Sequence, residues 1–201
     1  MNASLTRAQL LTRGAKGGTA LLVAGAAFTQ LIETAAADPL PSADLAYARL
    51  LVGAELLASD FYTQAINASV TGKSVTKYLK RAFANEQEHY QSVAGILSGA
   101  GVTPAVSGDI DFSYPTGTFA TEGSILKLAQ SLESTILGTY LGAIGGLQTA
   151  SLKQGIAQIA AAEAQHLSYF TSVTGGRAFS LAFPPALTID QASNAMDAYT
   201  A

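Results

Sequence analysis

Glu86-Gln87-Glu88-His89 and Glu163-Ala164-Gln165-His166 hold the only two histidines of the chain, each three residues after a glutamate. Residues three apart share one face of a helix, so each pair can aim a carboxylate and an imidazole at one point. A lone glutamate stands upstream of each pair, Glu55 before the first and Glu133 before the second. The order is therefore Glu, Glu-x-x-His, Glu, Glu-x-x-His. It assigns one ligand group to each of four helices. Four carboxylates and two imidazoles are the donor set of a carboxylate-bridged di-metal site in a four-helix bundle. The fold expected is all-α.

The flanks of these stretches read as helices with clear ends. Pro39-Leu40-Pro41-Ser42 is a punctuated linker, and Ser42 is the expected N-cap of a first helix over about 43–69. Thr71-Gly72 ends it. A second helix is expected over about 74–98, with Lys73, Lys77, Lys80 and Arg81 on a wet face. Residues 102–120 are dense in Pro, Gly, Ser and Asp. A connection so long is odd between adjacent antiparallel helices, but it suits a crossover from one end of a bundle to the other. Thr121 is the expected cap of a third helix to about 148, whose Gly138 and Gly142 read as close-packing positions and Gly145 and Gly146 as a bend or early end. A fourth helix is expected over about 151–173. Thr188-x-x-Gln191 has the pattern of a capping box opening a short fifth helix to about 199, and Phe179, Leu181 and Phe183 are expected to pack along the bundle.

The two halves echo each other. Glu55 to Glu86 and Glu133 to Glu163 are almost equally spaced, and each lone glutamate has a tyrosine seven residues later, Tyr62 and Tyr140. Seven residues is close to two turns, so each tyrosine shares its glutamate's face. Duplicated helical hairpins fit this better than a short solenoid repeat.

The chain has 201 residues, 49% hydrophobic and 12% charged, with a net charge of −3 and no cysteine or tryptophan. Its length suffices for one sizeable core. The negative balance argues against a general nucleic-acid binder, and the lack of cysteine excludes disulfides, thiolate zinc sites and iron–sulfur clusters. The N-terminus has the three-part layout of an export signal. Arg7, Arg13 and Lys16 precede an apolar run over residues 20–28, and Ala35-Ala36-Ala37 is an A-x-A-like cleavage site. The run is short for a membrane span, so no stable span is expected once the signal is removed. Thr6-Arg7-Ala8 looks like a twin-arginine export motif with Ala8 in place of the second arginine, which leaves the route open. The domain expectation is thus a signal over 1–37, a bundle over 38–176 and a tail over 177–201.

Two hard cations side by side repel each other. Four carboxylates neutralise them, two can bridge, and an imidazole completes each position. Oxygen-rich ligation with some nitrogen suits Fe or Mn, and open positions admit O2 or peroxide. Without metal, several buried carboxylates cannot all stay charged, so protons are expected on them.

This arrangement closely resembles the ferritin-like superfamily, which includes ferritins, rubrerythrins and manganese catalases. Over residues 43–173 it looks most like exported bacterial ferritin-like domain proteins, a group that includes desiccation-related proteins. The resemblance implies that Glu55 and Glu133 serve as terminal or bridging carboxylates, with Glu86 and His89 from the second helix and Glu163 and His166 from the fourth. It implies two Fe ions, or Mn, a partner in O2 or peroxide, and a tyrosine near the metals at Tyr62, the one catalytic candidate. The oligomeric state stays open, with a homodimer as one candidate. The rubredoxin-like segment of rubrerythrins is missing, and the tail beyond Gly176 is not that of a cage-forming ferritin. Three functions stay open: an exported di-metal oxidoreductase or ferroxidase-like protein, a stress-related structural bundle without turnover, and, as a weaker third, iron storage in a self-assembled cage.

Bland readings apply to the neighbours. Glu88, Gln87 and Gln165 are expected at the surface, Tyr90 and Tyr169 in packing, and Asp60 in solvent. Tyr62 and Tyr140 are read as core aromatics in preference to redox groups. Asp109 and Asp111 lack the rest of a calcium loop, so loop is the default.

Overall fold

A computed structural model describes residues 39–179 and 181–200. The export-signal reading over 1–37 lies outside the described residues. Five α-helices follow in order: α1 (Ser42–Asn67), α2 (Lys73–Gly99), α3 (Glu122–Gly146), α4 (Ala150–Val173) and the short α5 (Ile189–Asp197). The first two form one hairpin and the next two another; α1 packs on α3 between them, and α5 lies against both. This is the all-α bundle the sequence predicts. None of the described helices is long and apolar enough to cross a membrane.

Each helix is built around an inward stripe. On α2 the buried residues run Val75, Leu79, Ala82, Glu86, His89, Val93, and on α4 Leu152, Ile156, Ile159, Glu163, His166, Phe170. Alternating steps of four and three define one helix face. The Glu-x-x-His pairs thus occupy positions that the pattern reserves for core residues. On α1 the residues from Leu50 to Ala58 are all buried, because that helix faces α2, α3 and α5.

The ends depart slightly from expectation. Pro41 takes the cap position of α1, without a side-chain hydrogen bond, and Ser42 is already helical. The end expected near Ser69 falls two residues earlier, since Ser69 has a left-handed backbone with φ of 57°. Thr121 caps α3 as expected, accepting from the Ser124 N–H, and Thr188 with Gln191 forms the capping box of α5.

The segment between α2 and α3 is a crossover. Gly72, in the α1–α2 turn, donates its N–H to Glu122 at the start of α3 over 2.6 Å. The chain therefore travels back along the whole of α2, roughly 40 Å at 1.5 Å per residue. It holds one short 3-10 turn, Ser107–Asp109, and is pinned midway by Tyr114, which donates to Asp60 Oδ2 over 2.9 Å. Asp60 is accordingly a half-buried anchor and not the solvated residue expected. It also accepts from Gln64.

The tail corrects a second expectation. Phe179, Leu181 and Phe183 are 93%, 62% and 92% exposed and do not pack along the bundle. The groove that receives the tail is opened by Gly138 and Gly142, and it is filled by Leu187. Leu187 donates its N–H to the Gly138 carbonyl over 2.8 Å. A Cβ on Gly138 would sit 2.8 Å from Leu187 Cγ, and one on Gly142 would overlap the Leu187 carbonyl oxygen. The chain before Leu187 is left outside. Gly142→Ala should therefore push the tail off α3. Overpacking of this kind costs about 1–3 kcal/mol, visible as a lower urea midpoint. An unchanged midpoint would show that the tail adds nothing to the fold.

Candidate metal centre

All six sequence-predicted side chains converge on one buried spot. Glu55 comes from α1, Glu86 and His89 from α2, Glu133 from α3, and Glu163 and His166 from α4; the four carboxylates are essentially inaccessible to solvent. His89 Nδ1 lies 2.7 Å from Glu163 Oε1, 3.2 Å from Glu86 Oε2 and 3.9 Å from Glu55 Oε2. His166 Nδ1 lies 2.9 Å from Glu86 Oε1, 3.4 Å from Glu163 Oε2 and 3.6 Å from Glu133 Oε1. Glu86 and Glu163 each present one oxygen to one imidazole and the other oxygen to the second. Glu55 and Glu133 each face a single imidazole. The arrangement has an approximate two-fold, as duplicated hairpins would produce.

Two overlapping groups of donors result: Glu55, Glu86, His89 and Glu163 in one, and Glu86, Glu133, Glu163 and His166 in the other. Within each, one atom per residue lies within 4.8 Å of the rest, close enough to hold a metal ion. A second observation tests the fit. Glu55 Oε2, Glu86 Oε1, Glu133 Oε2, both Glu163 oxygens and His166 Nδ1 are buried without an aligned hydrogen-bond partner. Orphaned buried polar atoms are costly, on the order of 1–3 kcal/mol each and more when charged. Here they are gathered in one place with their lone pairs turned inward. Cations at that place would satisfy them together, so the residues fit a metal cluster.

The tyrosines of the sequence echo cross over. Tyr62, on the helix of Glu55, donates its hydroxyl to Glu133; Tyr140, on the helix of Glu133, donates to Glu55. Both are fully buried. They are core residues, as read from the sequence, and also anchor the outer carboxylates: Tyr140 takes Glu55 Oε1 and leaves Oε2 toward His89, whereas Tyr62 donates to Glu133 Oε1, the oxygen that also lies nearest His166.

Electrostatics shift the proton affinities of the metal-free cluster in opposite directions. Burial and the neighbouring Glu86 and Glu163 push Glu55 well above the usual carboxylate range, and burial with Glu163 does the same to Glu133. Burial also works against ionised Glu163, but the two imidazoles outweigh it and hold its pKa at about 2. Burial disfavours the imidazolium at His89, yet Glu163 and Glu86 raise it to about 9. His166 is raised further by Glu133, Glu163 and Glu86 against the same opposing burial. The imidazoles and the outer carboxylates therefore both hold their protons more tightly than usual.

Two contributors went unread in the sequence. Asn85 places its amide Nδ2 3.0 Å from His166 Nε2, which ties the outer edge of the ring to α2 and leaves Nδ1 directed at the carboxylates. Asp44, buried at the start of α1, accepts from the N–H groups of Gln148 and Thr149 over 2.7 and 2.8 Å. It ties the α3–α4 turn to α1 and so sets the register of the two hairpins. Glu88, Gln87 and Gln165 are exposed as expected. Asp109 accepts from the Val106 N–H, which makes it part of the crossover turn.

Residues 43–176 match the family model of the ferritin-like domain. The chain belongs to the ferritin-like domain family. No curated protein matches the sequence. The matched span of this ferritin-like protein runs from the start of α1 to just past α4, so it holds all six converging residues and excludes α5. Its family membership, its helical bundle and a Glu/His cluster able to hold metal ions therefore rest on independent observations.

Proposed function

We propose that this ferritin-like protein holds two metal ions, Fe or Mn, and carries out redox chemistry with O2, peroxide or Fe2+. The observation that carries the reading is the sharing of Glu86 and Glu163 between both imidazoles. In this reading Glu86 and Glu163 would serve both ions, Glu55 and His89 would help hold one, and Glu133 and His166 the other. A bound pair of this kind supplies Lewis acidity, one-electron exchange and a place for oxygen ligands. Four protein donors would serve each ion. Tyr62 and Tyr140 donate to the outer carboxylates and hold them in place. The apolar residues around the cluster exclude bulk water. Asn85 holds the outer edge of the His166 ring, with Nδ1 turned to the carboxylates.

Export across a membrane, as the N-terminal layout suggests, and kinship with desiccation-related proteins belong to the same proposal. The competing reading is a structural bundle whose metals serve only stability. Anaerobic reconstitution with Fe2+ separates the two. The proposal expects two ions per chain and rapid oxidation on adding O2, lost in Glu55→Ala/His89→Ala. Two bound ions with no oxidation above the free-metal rate would favour the structural reading, and no stoichiometric metal would reject the site.

A further inference from the structure

The first turns of α2 carry a row of cations that helix electrostatics disfavour. Lys73, Lys77, Lys80 and Arg81 are four of the eight basic residues over 39–200, and all four are exposed. Lys73 with Lys77, and Lys77 with Arg81, stand four apart, so like charges are neighbours along one ridge. They stand at the end of the helix where the backbone dipole is positive, and α2 has no acidic residue in its first turn. Glu122 of α3 reaches this end, but it accepts the Gly72 N–H. Among the described residues none of the four cations is ion-paired. A solvated helix face ordinarily mixes signs. This one keeps a single sign until Glu88, roughly 10 Å beyond Arg81. Local rules broken without internal compensation mark places shaped by function.

Exposed apolar side chains stand beside the row. Tyr78 stacks on Tyr169 of α4 with planes 7° from parallel, which sets this part of α2 against the last turns of α4. Ser168, next to Tyr169, donates to the Ala178 carbonyl over 3.3 Å. The tail therefore leaves α4 at the height of the cations, roughly one helix diameter from them. From there Phe179, Leu181 and Phe183 stand out at 93%, 62% and 92% exposure. A phenyl group offers on the order of 150 Å² or more for burial. Two of them with a leucine between make an apolar patch of the size that marks an interaction site.

We infer that this side of the bundle docks on an anionic lipid surface, with the α2 cations on the headgroup phosphates and the phenylalanines of the tail in the apolar zone beneath. Charge complementarity selects an anion, and the apolar side chains select a bilayer among anions. Cations next to exposed aromatic and leucine side chains are the pattern of interfacial binding. A nucleic acid would meet the cations but offers Leu181 no apolar depth, and the net charge of −3 opposes it over the rest of the surface. The surface shares no residue with the metal cluster, so the inference stands apart from the redox reading.

Sedimentation of the full chain with vesicles of phosphatidylglycerol and phosphatidylcholine in equal parts, against pure phosphatidylcholine, tests the docking. The N-terminal segment is the same in every variant, so differences among them report on this surface alone. Wild type should bind the anionic vesicles more tightly than the neutral ones and lose that preference in high salt. Lys73→Gln/Lys77→Gln/Lys80→Gln/Arg81→Gln should weaken anionic binding by about fiftyfold or more, since each cation near such a surface contributes about fivefold. Lys127→Gln/Lys153→Gln should match wild type. Phe179→Ser/Phe183→Ser should weaken binding by about tenfold or more, a loss that persists in high salt. No preference for anionic vesicles overturns the inference. Undiminished binding by the fourfold charge variant also overturns it and assigns the affinity to another part of the chain. Binding that needs the cations, ignores the phenylalanines and is competed away by short duplex DNA overturns the lipid surface in favour of a soluble polyanion.

Discussion

Glu163→Gln is expected to abolish binding at both metal positions together and to destabilise the metal-free protein, whereas Glu55→Gln should do neither. Glu163 places one oxygen 2.7 Å from His89 and the other 3.4 Å from His166, so its loss strips an anionic donor from each position. Held at a pKa of about 2, it is ionised throughout the neutral range, between two imidazoles that are raised into their charged forms. Removing one partner from a buried ion pair costs about 3–5 kcal/mol. Deprotonation of one imidazole can relieve part of that, so about 3 kcal/mol is the expected loss. In a chain of this length that is roughly 6–12 °C in Tm. Glu55 is the opposite case. Burial and its neighbours push its carboxyl well above the usual range, which favours the protonated form that glutamine mimics, and the amide oxygen can still accept from Tyr140. Glu55→Gln should leave the metal-free Tm nearly unchanged and weaken only the position shared with His89. Metal analysis and calorimetry on the two variants check this. One tightly held ion in Glu163→Gln would mean that Glu163 serves one position alone, and equal Tm losses in both variants would contradict the assigned proton content.

The convergence of six side chains is legible in the sequence because helix geometry is local. A glutamate and histidine three residues apart must share a face, and the order of the four groups leaves little choice of topology. Tyr62 and Tyr140 follow by the same logic, although their exchange of glutamates depends on how α1 packs on α3. Asn85 and Asp44 are illegible for a different reason. Asn85 precedes Glu86 directly, where helix geometry turns it toward α4, and Asp44 reads as an ordinary first-turn acid; each acquires its role only from another hairpin. The misplaced aromatics of the tail show the same limit. Phe179, Leu181 and Phe183 alternate as buried residues do, but Gly138 and Gly142 fit a backbone and one leucine. Which residue wins that groove is settled by tertiary register, which hydrophobicity does not encode.

The stabilisation conferred by metal should grow as pH rises from about 6 to about 9, and the sign follows from the individual groups. In the metal-free protein, His89 is raised from 6.5 to about 9. Its contribution to stability is fully present below 6.5 and is lost as pH climbs through about 9. His166 is displaced in the same direction. Glu55 and Glu133, also raised, keep protons that the unfolded chain gives up above about 4.5, so they too favour folding less as pH rises. Glu163, lowered from 4.5 to about 2, acts oppositely: its contribution is present above 4.5 and lost as pH falls toward 2. The metal-free protein should therefore be most stable in mildly acidic solution and weaken steadily toward pH 9. Metal binding runs against those protons. Ligand atoms of imidazole and carboxylate must be bare to coordinate, so affinity rises over the range in which the metal-free fold weakens. Ligand at a thousand times Kd contributes about 4 kcal/mol, roughly 8–16 °C of Tm for a chain of this size. That gap should be reached near pH 9 with anaerobic Mn2+ and shrink to less than about half at pH 6. Addition of Mn2+ in weak buffer should also release protons that an indicator dye records. A gap that stays constant with pH, or metal uptake without proton release, would show that the cluster is not proton-loaded, and that the orphaned carboxylate oxygens are held open by the fold alone.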